Sequence, residues 1–434
     1  MGLMIKTQFG LGVLSIPQVF DSLGIVPGII CVIAIAAVTT WSNYVIGTFK
    51  LNHPEVYSID DAGNLMFGRV GREILGFAVC IYWIFACGSG LLSTSIALNA
   101  VSAHGTCTAV FVAVAAIASF SVGSIQTLGK IKWTAWAGVV TVLVAVLITT
   151  IAVPLQGRPE AASDIENWES DYKIVGTPSF VKALTAVAST IFAYAGTPGK
   201  FSSFNRCASW PFLTPCPGFF PIAAEMRDPS QYTRSLIGCQ LVVTSIYLSI
   251  GTVIYIYCGS YVSSPALGSA GTLIKKISYG IALPGLVVST VMVLHFSSKY
   301  LFVRILRGSV HLSSNSFKHW ATWLGCTFAI TTSSYLIASG IPIFQELVSL
   351  IGALLGTFMS FQPMGCMWLY DNWKAGREKP TFRWGFLSAW NILIIVAGTF
   401  IMIAGTYASV VNIVASSKAA SGSSAWSCAD NSNS

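Results

Sequence analysis

Two apolar stretches of the sequence contain glycine and proline where a membrane helix would otherwise continue unbroken. The first is Q-F-G-L-G-V-L-S-I-P (8–17) and the second is F-A-Y-A-G-T-P (192–198). A helix broken at membrane depth exposes backbone groups that hydrocarbon cannot satisfy, so it persists only where protein buries it or where it lines a cavity. Free N–H groups at the start of a half-helix suit a carboxylate, and free carbonyls suit an ammonium group or a coupling cation. The two breaks therefore predict a site for a zwitterion, with ordinary kinks as the alternative.

A second candidate group consists of ionisable residues inside an apolar run. His295 and Lys299 are one helical turn apart, with Ser298 between them. Ionisable side chains are costly inside a bilayer and are functional candidates there, and the ordinary pKa of histidine suits proton transfer. The alternative is that Lys299 extends toward the cytoplasmic surface and that His295 is a hydrogen-bonded core residue.

The composition identifies the elements that must position these residues. The chain has 434 residues, of which 54% are hydrophobic and only 9% are charged, and its mean hydropathy is +0.70. An ordinary soluble domain carries about 25% charged residues. The chain is therefore expected to be an all-α polytopic membrane protein, with its helices in contact with the lipid bilayer.

Apolar runs long enough to cross the bilayer predict eleven transmembrane helices in one domain covering 1–411, with a Ser-rich tail at 412–434. The predicted spans are 3–20, 25–49, 74–101, 106–122, 133–154, 180–196 continued at 219–224, 236–258, 281–306, 320–338, 347–370 and 384–411. With the N-terminus in the cytoplasm, the inside loops hold fourteen Lys and Arg residues and the outside segments hold five. The positive-inside rule then predicts a cytoplasmic N-terminus and an extracytoplasmic C-terminus.

Other classes of function find no support in the sequence. The net charge of +8 is scattered between apolar runs, which argues against nucleic-acid binding. The chain has no H-E-x-x-H pair, G-x-S-x-G elbow or P-loop, so we do not expect an enzyme, a metal site or a cofactor. Six of the eleven cysteines lie singly in apolar runs, where they are expected to act as small packing residues.

Several motifs, in order along the chain, resemble the amino acid/auxin permease family, and most closely its fungal neutral, or N system, amino acid permeases. They are K-T-Q-F-G-L-G-V-L-S-I-P (6–17), T-F-K-L-N-H-P-E-V-Y-S-I-D-D-A-G (48–63), F-A-Y-A-G-T-P (192–198) with F-F-P-I-A-A-E-M-R-D-P (219–229), and K-Y-L-F-V-R-I-L-R (299–307). The resemblance covers nearly the whole chain.

The resemblance implies a LeuT-type fold, in which helices one to five and six to ten form an inverted repeat, helices one and six are broken, and an eleventh helix follows. It also implies proton-coupled symport of neutral amino acids, aliphatic and aromatic, with Na⁺ as the alternative coupling ion. In that fold helices one and eight frame the ion site, which would assign His295, Ser298 and Lys299 to ion coupling. The substrate would lie between the two broken segments. The residues expected to contact it are Gly10, Leu11, Gly12, Val13, Leu14, Ser15, Phe192, Ala193, Tyr194, Ala195, Gly196 and Thr197, with Tyr82 and Trp83 as cavity walls.

The sixth span departs from the family pattern, which would run F-A-Y-A-G-T-P-G-F-F-P-I-A-A-E-M without a gap. The chain carries 19 extra residues, 200–218, equivalent to 57 nucleotides. On reverse translation, codons 199–201 can contain a 5′ splice signal, codons 213–214 a branch-point pattern, and codons 217–218 the CAG that ends an intron. Removal of these 57 nucleotides keeps the reading frame and restores a glycine codon. We interpret 199–218 as a translated retained intron, and a genuine lid over the site is the alternative.

Two alternatives to transport remain at this point. One is a sensor that binds amino acids on the same fold without transporting them, and the other is an inactive product of a mis-spliced gene. We expect a monomer that has a small-molecule amino acid as its substrate, in the plasma membrane in preference to the vacuolar membrane. The sequence leaves open whether the natural chain begins upstream of Met1.

Overall fold

The computed structural model of the protein describes most of the chain. The described residues are 8, 10–56, 58–126, 132–156, 159, 168–195, 231–312, 314–419, 425–426 and 428–432. Their regular secondary structure is entirely helical, without a strand. The predicted all-α class is therefore confirmed for the part of the chain that is described.

The α-helices have the following bounds: α1 Ile16–Leu23, α2 Ile25–Asn52, α3 Ile59–Ser102, α4 Thr108–Gly123, α5 Lys132–Leu155, α6 Phe180–Ala195, α7 Tyr232–Cys258, α8 Thr272–Ile305, α9 Phe317–Gly340, α10 Phe344–Leu350, α11 Thr357–Ser360, α12 Gln362–Glu378 and α13 Phe382–Ala419. Short 3-10 helices are Leu11–Ser15, Gly259–Tyr261, Ala266–Ser269 and Val310–Leu312. A π-helical segment, Ile351–Gly356, joins α10 to α11.

Seven helices of the described residues are long and apolar enough to cross a membrane, judged by length and composition. They are Ile25–Asn52, Ile59–Ser102, Trp136–Leu155, Tyr232–Tyr261, Thr272–Ile305, the run Phe344–Glu378 and Phe382–Lys418. Three shorter apolar helices are Leu11–Leu23, Thr108–Gly123 and Phe180–Ala195. Large apolar side chains such as Ile30, Ile117 and Leu155 are exposed by more than 60%, as expected of a surface that hydrocarbon covers.

Local sequence signals set several helix boundaries. Ser58 caps α3 by accepting a hydrogen bond from the backbone N–H of Asp61, and Ser316 caps α9 in the same way through His319. Gly24, at φ +88°, separates α1 from α2 in a backbone conformation that favours glycine. Gly68, at φ +65°, kinks the N-terminal part of α3.

The helices pack as two groups of four. In the first group α1 packs against α2, α6 and α7, and α2 also packs against α6 and α7. In the second group α3, α4, α8 and α9 all contact one another. The α5 helix packs against α8 and α7, and the α10–α12 run packs against α6, α3 and α13. The two groups meet where α3 contacts the turn Leu11–Ser15.

A disulfide joins the start of α4 to the C-terminal segment of the chain. Cys107 bonds to Cys428, 321 residues later. Beyond it, Asn99 Nδ2 donates to Asn431 Oδ1 at 2.7 Å, and Lys275 Nζ donates to Ser432 Oγ at 2.9 Å. The described C-terminal residues therefore contact the C-terminal end of α3 and the N-terminal end of α8.

The last helix is longer than the apolar run that predicts it. It continues to Ala419, past the predicted boundary at 411, because no glycine or proline interrupts the Val-, Ala- and Ser-containing sequence there. The predicted insertion at 199–218 lies outside the described residues, as do Gly196 and Thr197.

Candidate functional site

The first break lies where the sequence predicts it. Gly10 has φ −166° and ψ −140°, which is not helical, and the tight turn Leu11–Ser15 leads from it into α1. All five residues of the turn are buried. Ser15 Oγ donates to the carbonyl oxygen of Gly12 at 2.9 Å, so it holds the turn together and does not cap α1.

The start of this turn is a candidate position for a ligand. No side chain of the described residues caps the N–H groups at Gly10. A Cβ atom added to Gly10 would meet no heavy atom within 4 Å among those residues. Uncapped N–H groups beside open space are the arrangement that binds an anion at a helix N-terminus.

The second predicted segment lies directly against the first. The α6 helix ends at Ala195, with Ala193 and Tyr194 buried to 1% exposure and Phe192 to 7%. A Cβ atom added to Gly12 would lie 2.5 Å from Ala193 Cα, so the two backbones touch at a position where only glycine fits. The structure therefore brings the described parts of the two segments together. Ala195 is half-buried.

A residue that the sequence did not identify links the two segments. The hydroxyl of Tyr247, on α7, lies 3.0 Å from the carbonyl oxygen of Gln8 and 3.1 Å from that of Ala193. Its ring packs edge-on against Tyr194, with centroids 5.2 Å apart. Tyr194 in turn donates to Thr244 Oγ1 at 2.9 Å. No local motif marks Tyr247, because its partners are distant in sequence.

The π-helical segment Ile351–Gly356 is the second feature that sequence reasoning missed. Gly352 lies in direct contact with the backbone of Ala188, one to two turns before the end of α6. Gln345 Nε2 also donates to Ser189 Oγ at 2.9 Å. Single π-helical turns occur frequently at functional sites. The glycines of I-G-A-L-L-G are the sequence signal that allows this close approach.

The two aromatic residues predicted to wall the cavity are buried on α3. Tyr82 is 2% exposed and Trp83 is 3% exposed. Trp83 packs edge-on against Phe296 of α8, with centroids 6.2 Å apart. This contact places Trp83 at the interface between α3 and α8, and substrate contact by either residue stays a prediction.

The predicted ion-coupling residues lie on α8. His295 is 2% exposed; its Nδ1 atom is 3.3 Å from the carbonyl oxygen of Gly123, and its ring packs against Trp323. These contacts direct it toward α4 and α9. Ser298 is fully buried, and its hydroxyl has no hydrogen-bond partner within the described ranges. Lys299 is half-buried. Their part in coupling stays a prediction.

A loop covers one side of the turn. The 3-10 helix Ala266–Ser269 contacts the turn Leu11–Ser15, α1, α5 and α8. Ala266, Leu267 and Ala270 are at most 1% exposed. Ser264 Oγ donates to Gln345 Oε1 at 3.1 Å, which connects the loop to α10. The site is therefore closed on this side. Among the described residues, no three His, Cys, Asp or Glu side chains cluster as metal ligands.

Comparison with known proteins gives consistent matches. The profile of the family described as transmembrane amino acid transporter protein matches residues 1–203 and 217–411. A "Transmembrane transporter" of Gibberella moniliformis is 35% identical over 430 residues, which make up 99% of this chain and 86% of the relative. The "N amino acid transport system protein" of Neurospora crassa is 32% identical over 417 residues, covering 95% of this chain and 83% of the relative.

The solved structures that match include one that is covered over most of its length. It is the substrate-bound outward-open state of a Na⁺-coupled sialic acid symporter, with a TM-score of 0.44 and 12% sequence identity. The match covers 94% of this chain and 96% of the symporter.

Proposed function

This chain belongs to the transmembrane amino acid transporter family, and from that premise we propose that it carries neutral amino acids, aliphatic and aromatic, together with protons. Membership itself makes the chain a membrane transport protein for amino acids and not an enzyme. The observation that carries the proposal is the uncapped turn Leu11–Ser15, beside the open space at Gly10 and in contact with α6.

The turn supplies the groups that an amino acid needs. The N–H groups at its start bind the carboxylate of the substrate, since a helix N-terminus carries a partial positive charge. Backbone carbonyls freed where the helices break bind the ammonium group. The segments Leu11–Ser15 and Phe192–Ala195 contain no charged side chain. A substrate with a neutral side chain is therefore the one that leaves no charge unpaired in the site.

Proton coupling is assigned to α8. His295, Ser298 and Lys299 lie within about one turn of a helix that is long enough to cross the membrane. His295 accepts or releases a proton beside the Gly123 carbonyl. The ammonium group of Lys299 supplies a fixed positive charge at the site that a bound sodium ion would occupy in a sodium-driven transporter. Sodium-dependent transport is the contrasting outcome of the test below.

The helix contacts support an inverted repeat of five helices. In such a repeat α1 to α4 correspond to α6 to α9, and α5 corresponds to the α10–α12 run. Contacts that the repeat would make equivalent are both present: α1 packs against α7, and α6 packs against α2. In the same way, α3 packs against α9, and α8 packs against α4. The α5 helix packs against α8 as α10 packs against α3. The proposed eleven crossings are the seven long helices, the three shorter apolar helices and α9.

The disulfide supports the proposed orientation. Disulfides form and persist in oxidising compartments, and Cys107 and Cys428 belong to a loop and a tail that both lie outside when the N-terminus is cytoplasmic. We assign the protein to the plasma membrane as a monomer.

The insertion is proposed to be a retained intron. The two stretches that match the family profile leave out 204–216, inside the predicted insert. In the spliced chain, Gly199 would join Phe219 directly. Sequencing the mature transcript across codons 195–222 tests this: a message that keeps all 57 nucleotides in most copies would contradict it.

Uptake by cells tests the function. The form of the chain that the mature transcript encodes is produced in yeast that lack their own amino acid permeases, and a panel of labelled amino acids is supplied at varied pH and sodium concentration. We expect uptake of neutral amino acids that rises as the external pH falls and does not require sodium. Uptake that requires sodium and ignores pH would overturn the proton assignment, and binding without uptake would favour a sensor.

A further inference from the structure

The hydroxyl group of Tyr247 joins two helices that break at the substrate site. It lies within hydrogen-bond distance of two backbone carbonyls, one of Gln8 before the first break and one of Ala193 near the end of α6. A phenol has one proton to donate, so the two carbonyls share it. Tyr247 itself is fully buried, at 0% exposure. A single group on a third helix therefore fixes the separation of the two segments.

The surroundings of Tyr247 hold its hydroxyl in place. Its ring packs edge-on against Tyr194, and the hydroxyl of Tyr194 is bonded to Thr244, one turn earlier on α7. On the same side of α7, Cys239 Sγ lies 3.6 Å from Gln8 Oε1. Further along, Gly251 permits direct contact with Phe20 of α1. The α7 helix thus follows the first broken helix over several turns and meets α6 at Ala193 and Tyr194.

The two carbonyls matter because of where they lie. A helix that breaks frees carbonyls that must find another donor inside the membrane. Gln8 and Ala193 are also close to the groups assigned to the substrate: Gln8 precedes the open N-terminus at Gly10, and Ala193 touches Gly12. A change in the distance between these carbonyls would therefore move the N–H groups that receive the carboxylate.

We propose that Tyr247 is a positioning residue for substrate binding: its hydroxyl sets the spacing of the two broken helices and thereby the affinity for the amino acid. The inference rests on the proposed function for the nature of the ligand. Tyr247 does not itself contact the substrate in this account, and its effect is transmitted through the backbones at Gln8 and Ala193.

The test compares two tyrosines that differ in their hydrogen bonds. Tyr247→Phe removes the hydroxyl and keeps the ring. Tyr279→Phe is the matched control, since Tyr279 is also fully buried and its hydroxyl has no hydrogen-bond partner among the residues that the structure describes. For both variants, and for the wild-type chain in the form that the transcript encodes, the dissociation constant of a labelled neutral amino acid is measured on purified protein, together with the unfolding temperature.

We expect Tyr247→Phe to weaken binding by about tenfold, the effect of losing one well-placed hydrogen bond at a buried site. Tyr279→Phe is expected to stay within about twofold of wild type, because it breaks no hydrogen bond to any residue that the structure describes. An unchanged dissociation constant in Tyr247→Phe would overturn the proposal, even if the unfolding temperature fell, because a purely structural role predicts that pattern.

A second variant keeps the proposal testable if Tyr247→Phe does not fold. Thr244→Val leaves the hydroxyl of Tyr247 but removes the acceptor of Tyr194, which loosens the ring that supports it. We expect about threefold weaker binding, and unchanged binding would contradict the proposal.

Uptake by reconstituted vesicles separates this inference from the proposed function. Wild-type protein that binds amino acids without transporting them would refute transport, while the comparison of dissociation constants would still decide the role of Tyr247. Wild-type protein that binds no amino acid would overturn both.

Discussion

Replacing Gly12 with alanine is the most informative single change at the site. The added Cβ atom would lie 2.5 Å from Ala193 Cα and 3.0 Å from Ala193 Cβ. Carbon atoms pack best at about 3.5–4.0 Å, so the turn and α6 would have to separate by about 1 Å. Neither side can yield by rotating a side chain, because the closest atom belongs to the backbone.

The cost of this change can be estimated. Overpacking a close-packed interior costs about 1–3 kcal/mol, which corresponds to about 5- to 150-fold in an equilibrium constant. The separation also displaces the N–H groups of the turn Leu11–Ser15 from the substrate. We therefore expect Gly12→Ala to lower the ratio of maximal uptake rate to KM by about this factor.

The assay measures initial uptake of a labelled neutral amino acid, normalised to the amount of protein at the cell surface. Gly325→Ala is the control, because it adds the same methyl group to a helical glycine with no described atom within 4 Å of the new Cβ. Gly325→Ala should transport as wild type does. Normal uptake by Gly12→Ala would refute the close contact of the two broken segments.

Three further predictions concern the ligand space, the coupling residue and the tail. Gly10→Ala should raise KM with little effect on the unfolding temperature, because its methyl group enters the space assigned to substrate and meets no described atom; an unchanged KM would place the substrate elsewhere. His295→Gln keeps a side chain that can donate to the Gly123 carbonyl but cannot carry a proton. Uptake by this variant, measured between pH 5 and pH 8, should therefore lose its pH dependence. A pH profile like that of wild type would remove His295 from the coupling mechanism. On intact cells, a membrane-impermeant reductant should make Cys107 and Cys428 accessible to an impermeant maleimide, and labelling only after the cells are permeabilised would contradict the outside location of the tail.

The first break could be predicted because its cause is local. Gly10 and Gly12 interrupt an apolar run, and an interrupted helix inside a membrane leaves backbone groups that only protein, a ligand or a cavity can satisfy. The structure places a non-helical Gly10 and a tight turn there. That α6 would lie beside this break followed only from the resemblance to amino acid permeases; in the structure Gly12 contacts Ala193 of α6.

Helix lengths were harder to predict than helix positions. The third span was predicted at 74–101, but α3 runs from Ile59 to Ser102. Its first turns carry Asp60, Asp61, Arg69 and Arg72. A hydropathy criterion leaves these charged residues out of a membrane span, although a helix that extends into water accommodates them. Hydropathy therefore located the apolar part of α3 and missed its charged N-terminal extension.

The contacts that assemble the site were not accessible from the sequence. Tyr247 is 239 residues from Gln8 and 54 from Ala193, and Cys107 is 321 residues from Cys428. A tyrosine in an apolar helix resembles many others until the fold shows which carbonyls its hydroxyl meets. The π-helical segment that begins at Ile351 likewise depends on packing against α6, which no periodicity in α10 reveals.

Proton movement during transport tests the central claim most directly. The protein, in the form that the mature transcript encodes, is reconstituted into vesicles that contain a pH-sensitive dye, in buffers without sodium. Adding a neutral amino acid outside should acidify the interior, and the acidification should be lost in Gly12→Ala. Amino acid uptake that leaves the internal pH unchanged and begins only when sodium is added would contradict proton-coupled transport by this chain.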